Sequence, residues 1–160
     1  MRSESEKTKV LILGIGNVLM GDEGIGVHVV NEVAKAELPR GVDWLDGGTG
    51  SFLLLEAMQH AGKVILVDPT IDGAEAGTIR RLRPKYSADY PKTLTAHDIG
   101  LKDLLDAFYL LGTTAPEVTL YAVSIPPLQD MRLEMSDELT AVIPKVAEMV
   151  MNEAQQICLN

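Results

Sequence analysis

Two short runs constrain this chain more than anything else in it. Lys9–Leu13 (KVLIL) and Lys63–Val67 (KVILV) are rich in β-branched residues and almost wholly apolar. Each is cut off by a strand breaker, Gly14 in the first case and Asp68-Pro69 in the second. Runs this short, without polar alternation, are the pattern of strands buried on both faces rather than of helices. Such strands need helical cover on each side. The intervening sequence supplies it.

From Gly24 to about Ala36 apolar residues recur at Ile25, Val29 and Val33, with Val30 and Ala34 beside them. That is one face of a helix, with Asp22 or Glu23 placed to cap it. Val42–Leu45 is a second strand, stopped by Asp46-Gly47-Gly48. Ser51 caps a second helix that runs through Leu53, Leu54, Ala57 and Met58 and ends before Gly62. Thr78–Leu82 carries Arg80 and Arg81, which suits an edge strand. Leu101 to Leu111 is a third helix, stopped by Gly112, and Glu117–Val123 a fifth strand. Ser136 caps a last helical region, Asp137 to about Ile157, whose stripe of Leu139, Ile143, Val146, Ala147 and Val150 is interrupted by Pro144. A kink, or a short turn followed by the main helix, is expected there. Strands alternating with helices predict the α/β class: a single domain whose mostly parallel, twisted sheet of about five strands has helices on both faces.

Length and composition agree. The 160 residues make one domain, 10–157, behind a flexible polar tail, Met1–Lys9. A lone cysteine, Cys158, excludes a disulfide scaffold. The net charge of −9 argues against nucleic acid and against an anionic membrane surface. No apolar run approaches the roughly 20 residues of a membrane span, and the tail has no apolar core of a secretory signal. The chain reads as a cytoplasmic monomer.

In such sheets ligands gather beyond the carboxyl ends of the strands. After the first strand comes Gly14-Ile15-Gly16, but the third glycine of a dinucleotide fingerprint is replaced by Leu19. The helix that follows opens on Asp22 and Glu23, which would repel a phosphate. A helix N-terminus instead favours an ionised carboxylate at Glu23, which is either a cap or a metal ligand. Asp68 ends the third strand, either solvated or part of a site. His97, just before the third helix, is either a surface residue or a ligand. His28 and His60 lie within helices and form no paired motif, although His28 is little more than one turn from Glu23. No nucleophile motif is present: there is no G-x-S-x-G, and Cys158 sits in the C-terminal tail. One imidazole and two carboxylates suit a borderline divalent ion such as Ni²⁺ or Zn²⁺, with positions left open for substrate.

The stretch from Gly14-Ile15-Gly16-Asn17 through Gly21-Asp22-Glu23-Gly24-Ile25-Gly26-Val27 resembles the signature of the hydrogenase maturation endopeptidases. Asp46-Gly47-Gly48-Thr49, Asp68, and His97 followed by Gly100-Leu101 match the rest of the pattern in order and spacing, from about Val10 to Val150. The resemblance implies an enzyme, a metal-dependent α/β endopeptidase. It would remove the C-terminal extension of a [NiFe] hydrogenase large-subunit precursor after nickel insertion, just past that precursor's Cys-x-x-Cys-x-x-His/Arg motif. It implies Glu23, Asp68 and His97 as the metal-binding and catalytic positions, with nickel supplied by the precursor and zinc or cadmium able to substitute in vitro. Asp22 is a candidate base.

Pro69 after the aspartate, the loop Lys85–Pro91 and the segment Ser124–Met135 depart from the pattern; the two loops would help select the precursor. Met131, Met135 and Leu128 are either core or an adaptable contact surface. Two other readings stay open. One is a non-enzymatic metal-site chaperone for the precursor. The other is a nucleotide- or methyl-donor-binding α/β enzyme, with Gly14–Gly16 as cofactor loop and Asp46 on a ribose.

Overall fold

A computed structural model describes residues 8–50, 53–84, 101–127 and 130–160. The strands are β1 (Thr8–Gly14), β2 (Val42–Asp46), β3 (Ala61–Thr70), β4 (Ile79–Leu82) and β5 (Glu117–Ser124). The helices are α1 (Ile25–Val33), α2 (Leu53–Gln59), α3 (Leu101–Leu110) and α4 (Asp137–Leu159). The strands form one five-stranded sheet in the order β2-β1-β3-β5-β4. Every pairing is parallel except β4 with β5. The expected class and strand count are therefore what the chain adopts.

Alternation along the central strands splits the core into two layers. Val10 and Ile12 of β1, Ile65 and Val67 of β3, and Tyr121 and Val123 of β5 pack with α1 and α4. Leu11 and Leu13, Val64 and Leu66, and Val118 and Leu120 face the other way, against α2 and α3. The two apolar runs of the sequence are thus interior strands that feed both layers.

Several boundaries differ from the sequence reading. β3 does not stop at Asp68-Pro69 but continues through Thr70, with Asp68 opposite Ala122 and Pro69 opposite Val123 of β5. β1 ends opposite Val67, so this extension is paired on one side only, where a missing proline N–H is tolerated. Pro69 therefore lies in a strand and does not break it. α4 runs through Pro144 as one helix. Neither Asp22 nor Glu23 caps α1: they lie in a separate 3-10 turn, Gly21–Gly24, and α1 starts from Gly24 without a side-chain cap. The strand core begins at Thr8, inside the expected tail. Ser51, proposed as a cap, lies outside the described residues.

The edge strand β4 is pinned by its arginines. Arg81 Nε donates to Glu153 Oε1 on α4 at 2.5 Å, and Tyr121 Oη donates to the same oxygen at 2.8 Å. Arg80 pairs with Asp72 at 2.8 Å. Burial alone would raise the Glu153 carboxyl, but the hydrogen bonds from Arg81 and Tyr121, with the charge of Arg81, outweigh it and hold the group below its ordinary value. Burial, reinforced by the glutamate, pushes Tyr121 up to about 12. A folded-state value above the unfolded one means stability that is intact below the unfolded value near 10 and lost as pH rises towards 12. Urea unfolding should show stability falling above pH 10, and Tyr121→Phe should flatten that alkaline limb. An unchanged alkaline limb in the variant would assign it to other groups.

Candidate active site at the ends of the first and third strands

Chain direction reverses across the sheet between β1 and β3. From β1 the chain moves outward to β2, then crosses back to β3 on the other side. A crevice opens at such a switch point, outside the carboxyl ends of the strands. Glu23 follows β1 and Asp68 lies near the end of β3, the two strands that border this crevice.

Close backbone approach makes the arrangement possible. A side chain at Gly16 would collide with the carbonyl oxygen of Glu23. One at Gly26 would collide with the carbonyl oxygens of Ile15 and Val67, and one at Gly14 with that of Gly26. The start of α1 is therefore seated directly on the ends of β1 and β3, and the 3-10 turn packs against β3. These glycines serve packing.

They do not form a phosphate cradle. Ile15 N–H donates to Val67 O at 3.0 Å, Gly16 N–H to Gly48 O at 2.7 Å and Asn17 N–H to Glu23 O at 3.0 Å. Consecutive amides that a phosphate would need are already committed within the protein. The Asp46-Gly47-Gly48 loop is drawn onto the same strand end, with Gly47 N–H donating to Gly14 O at 2.8 Å. Asp46 Oδ1 accepts from Gly48 N–H at 2.9 Å, which closes the loop on itself. The cofactor-loop reading of Gly14–Gly16 fails on these bonds.

Asp68 is 5% exposed. Strand alternation puts it on the face of Val64 and Leu66, towards the α2–α3 layer. Its expected solvated alternative is excluded. Glu23 is partly exposed, held on its turn by Glu23 N–H donating to Met20 O at 3.2 Å. His97, the third residue singled out by the sequence, lies outside the described residues, as does the loop Lys85–Pro91. Among the described residues no three histidine, cysteine or acidic side chains gather as a metal site. His28 sits against Gly24, and its buried Nε2 has no hydrogen-bond partner among the described residues. His60 Nδ1 is turned back to Glu56 O at 2.7 Å.

Asp22 has a role the sequence does not disclose. It is 1% exposed, and its carboxylate accepts from both Ser136 N–H and Ser136 Oγ–H, each at 2.8 Å. Ser136 is the N-cap of α4, its Oγ also accepting from Leu139 N–H at 3.4 Å. A buried carboxylate engaged at both oxygens is a clamp between the 3-10 turn and α4, which displaces its candidacy as a base. The partners are 114 residues apart, so no local pattern could reveal them.

The fold agrees with the matches to known proteins. Residues 27–153 match the family model of the HycI hydrogenase maturation proteases. The chain belongs to the hydrogenase maturation protease family. It is 32% identical to the hydrogenase 2 maturation protease of Escherichia coli K12 over 146 residues, 89% of this chain and 88% of that protein. It is 31% identical to the hydrogenase expression/formation protein HupD of Bradyrhizobium diazoefficiens over 135 residues, 81% of this chain and 69% of that one. The solved structure of the hydrogenase maturating endopeptidase HybD from E. coli superposes with a TM-score of 0.81 at 30% identity, covering 92% of this chain and 93% of that one. No helix among the described residues of this protease is long and apolar enough to cross a membrane.

The clamp yields a prediction. Ser136→Ala removes the N-cap and one charged hydrogen bond, and should cost about 2 kcal/mol of stability in urea unfolding. A loss below about 0.5 kcal/mol, the scale of ordinary surface substitutions, would show that the clamp carries no weight.

Proposed function

We propose that this protease removes the C-terminal extension of a [NiFe] hydrogenase large-subunit precursor once nickel has been installed. The observation that carries the reading is that Glu23 follows β1 and Asp68 lies on β3, the two strands that border the crevice, in a chain of this family. With His97 they make an oxygen–nitrogen donor set suited to a borderline divalent ion. The ion is substrate: nickel already held by precursor thiolates accepts these side chains at its open positions. Zinc or cadmium would occupy the same donors in vitro.

Each part then has a task. Metal contact reports that the precursor is loaded and fixes the scissile bond in the crevice, which lowers the entropic cost of reaction. Water adds to the scissile carbonyl carbon, the C–N bond breaks, and a proton from that water passes to the departing amine. Asp22 holds the turn that presents Glu23 and takes no part in proton transfer. Loss of the extension makes maturation irreversible. The enzyme acts as a monomer in the cytoplasm.

Intact-mass measurement of nickel-loaded precursor incubated with the protein tests this. The expected product is the precursor shortened after its nickel motif; unchanged mass, with the two proteins bound, would favour the chaperone reading. Glu23→Gln and His97→Ala should each lower cleavage by more than about a hundredfold, the usual effect of losing a positioned catalytic group, while leaving the melting temperature near that of the parent. Full activity in either variant would mean that the ligands are misassigned. Nickel-free precursor should stay uncut, and efficient cutting of it would remove metal recognition from the mechanism.

A further inference from the structure

The 3-10 turn that carries Glu23 is bordered by a second segment, residues 130–136. Arg132 N–H donates to Leu19 O and Gly21 N–H donates to Arg132 O, both at 2.8 Å, forming a parallel bridge between Met20 and Arg132. Leu19, Met131 and Leu133 immediately flank the two bridged residues, Met20 and Arg132. All three are exposed, at 52%, 81% and 69%. Met135, by contrast, is packed on the core, and Leu128 lies outside the described residues.

We propose that Leu19, Met131 and Leu133 form a docking surface for apolar side chains of the precursor next to the scissile bond. This rests on the peptidase reading above and adds a binding surface to the same site. Three features on the bridge favour that occupant. The surface is continuous with the turn that holds Glu23, since Glu23 N–H bonds to the carbonyl of Met20. It is fixed rigidly to that turn, by the Arg132 bonds on one side and the Asp22–Ser136 clamp on the other. Contact there sets the register of whatever lies over Glu23. Finally, three side chains expose on the order of a few hundred Å², well below the roughly 800 Å² per partner of a stable dimer. A second copy of this chain is thus poorly served by the patch, whereas an extended substrate segment is well served by it. Methionine and leucine suit such a segment because they adapt to its shape.

Binding of nickel-free precursor isolates this surface from the metal. The double variant Met131→Glu/Leu133→Glu should weaken the Kd for nickel-free precursor by about tenfold or more, with an unchanged melting temperature, because both side chains are already in water. On nickel-loaded precursor the same loss should fall on KM. Leu110→Glu, on the exposed end of α3 that leads towards the start of β5, should leave the Kd as it is. An unaltered Kd in the double variant, or no binding of nickel-free precursor by the parent protein, would overturn the proposal. So would sedimentation showing a parent dimer that the double variant disperses, which would assign the patch to self-association. A parent protein that binds precursor but leaves loaded precursor uncut sinks the peptidase reading, and the Kd comparison still decides the docking surface.

Discussion

The seating of α1 on the ends of β1 and β3 governs the rest of this structure. Helices normally rest on a sheet at a distance set by their side chains. Here the carbonyls of Ile15, Glu23, Gly26 and Val67 lie where the Cβ atoms of Gly14, Gly16 and Gly26 would be. Overpacking such a site costs roughly 1–3 kcal/mol or more, because backbone rather than a flexible side chain must move. The close approach leaves no room for a phosphate between helix and strand. It also brings the 3-10 turn that carries Glu23 against β3, the strand that carries Asp68.

Long-range ties then hold that turn. Asp22 is clamped by the N-cap of α4, and Gly21 is bonded to the carbonyl of Arg132. At the other edge Arg81 and Tyr121 meet Glu153, which fixes β4 and β5 to the same helix α4. One helix therefore links the outer sheet edge to the crevice. Of the acidic groups behind the net charge of −9, Glu153 and Asp22 are structural, whereas Glu23 and Asp68 lie on the elements that border the crevice.

Local chemistry made most of the architecture readable. The β-branched runs at Lys9–Leu13 and Lys63–Val67, the stripe from Ile25 to Val33 and the cap at Ser136 each act within a few residues, and their elements form. What the sequence obscured depends on distant partners. Pro69 looks like a stop, but β1 has already ended beside it and β5 continues the pairing. Asp22 and Glu23 look alike as acids before a helix; only Ser136 separates the clamp from its neighbour. The glycines resemble part of a nucleotide fingerprint until the hydrogen bonds of Ile15, Gly16 and Asn17 are known. The closeness of exposed Leu19 to Met131 and Leu133 depends on one bridge between separate segments.

Crystals soaked in a cadmium salt, with anomalous scattering collected to locate the ion, test the central claim about the site. Cadmium stands in for the nickel of the precursor. The expected result is an ion at the β1–β3 crevice bound by Glu23, Asp68 and His97. An ion held by other side chains, with Glu23 and Asp68 turned away from it, would contradict it.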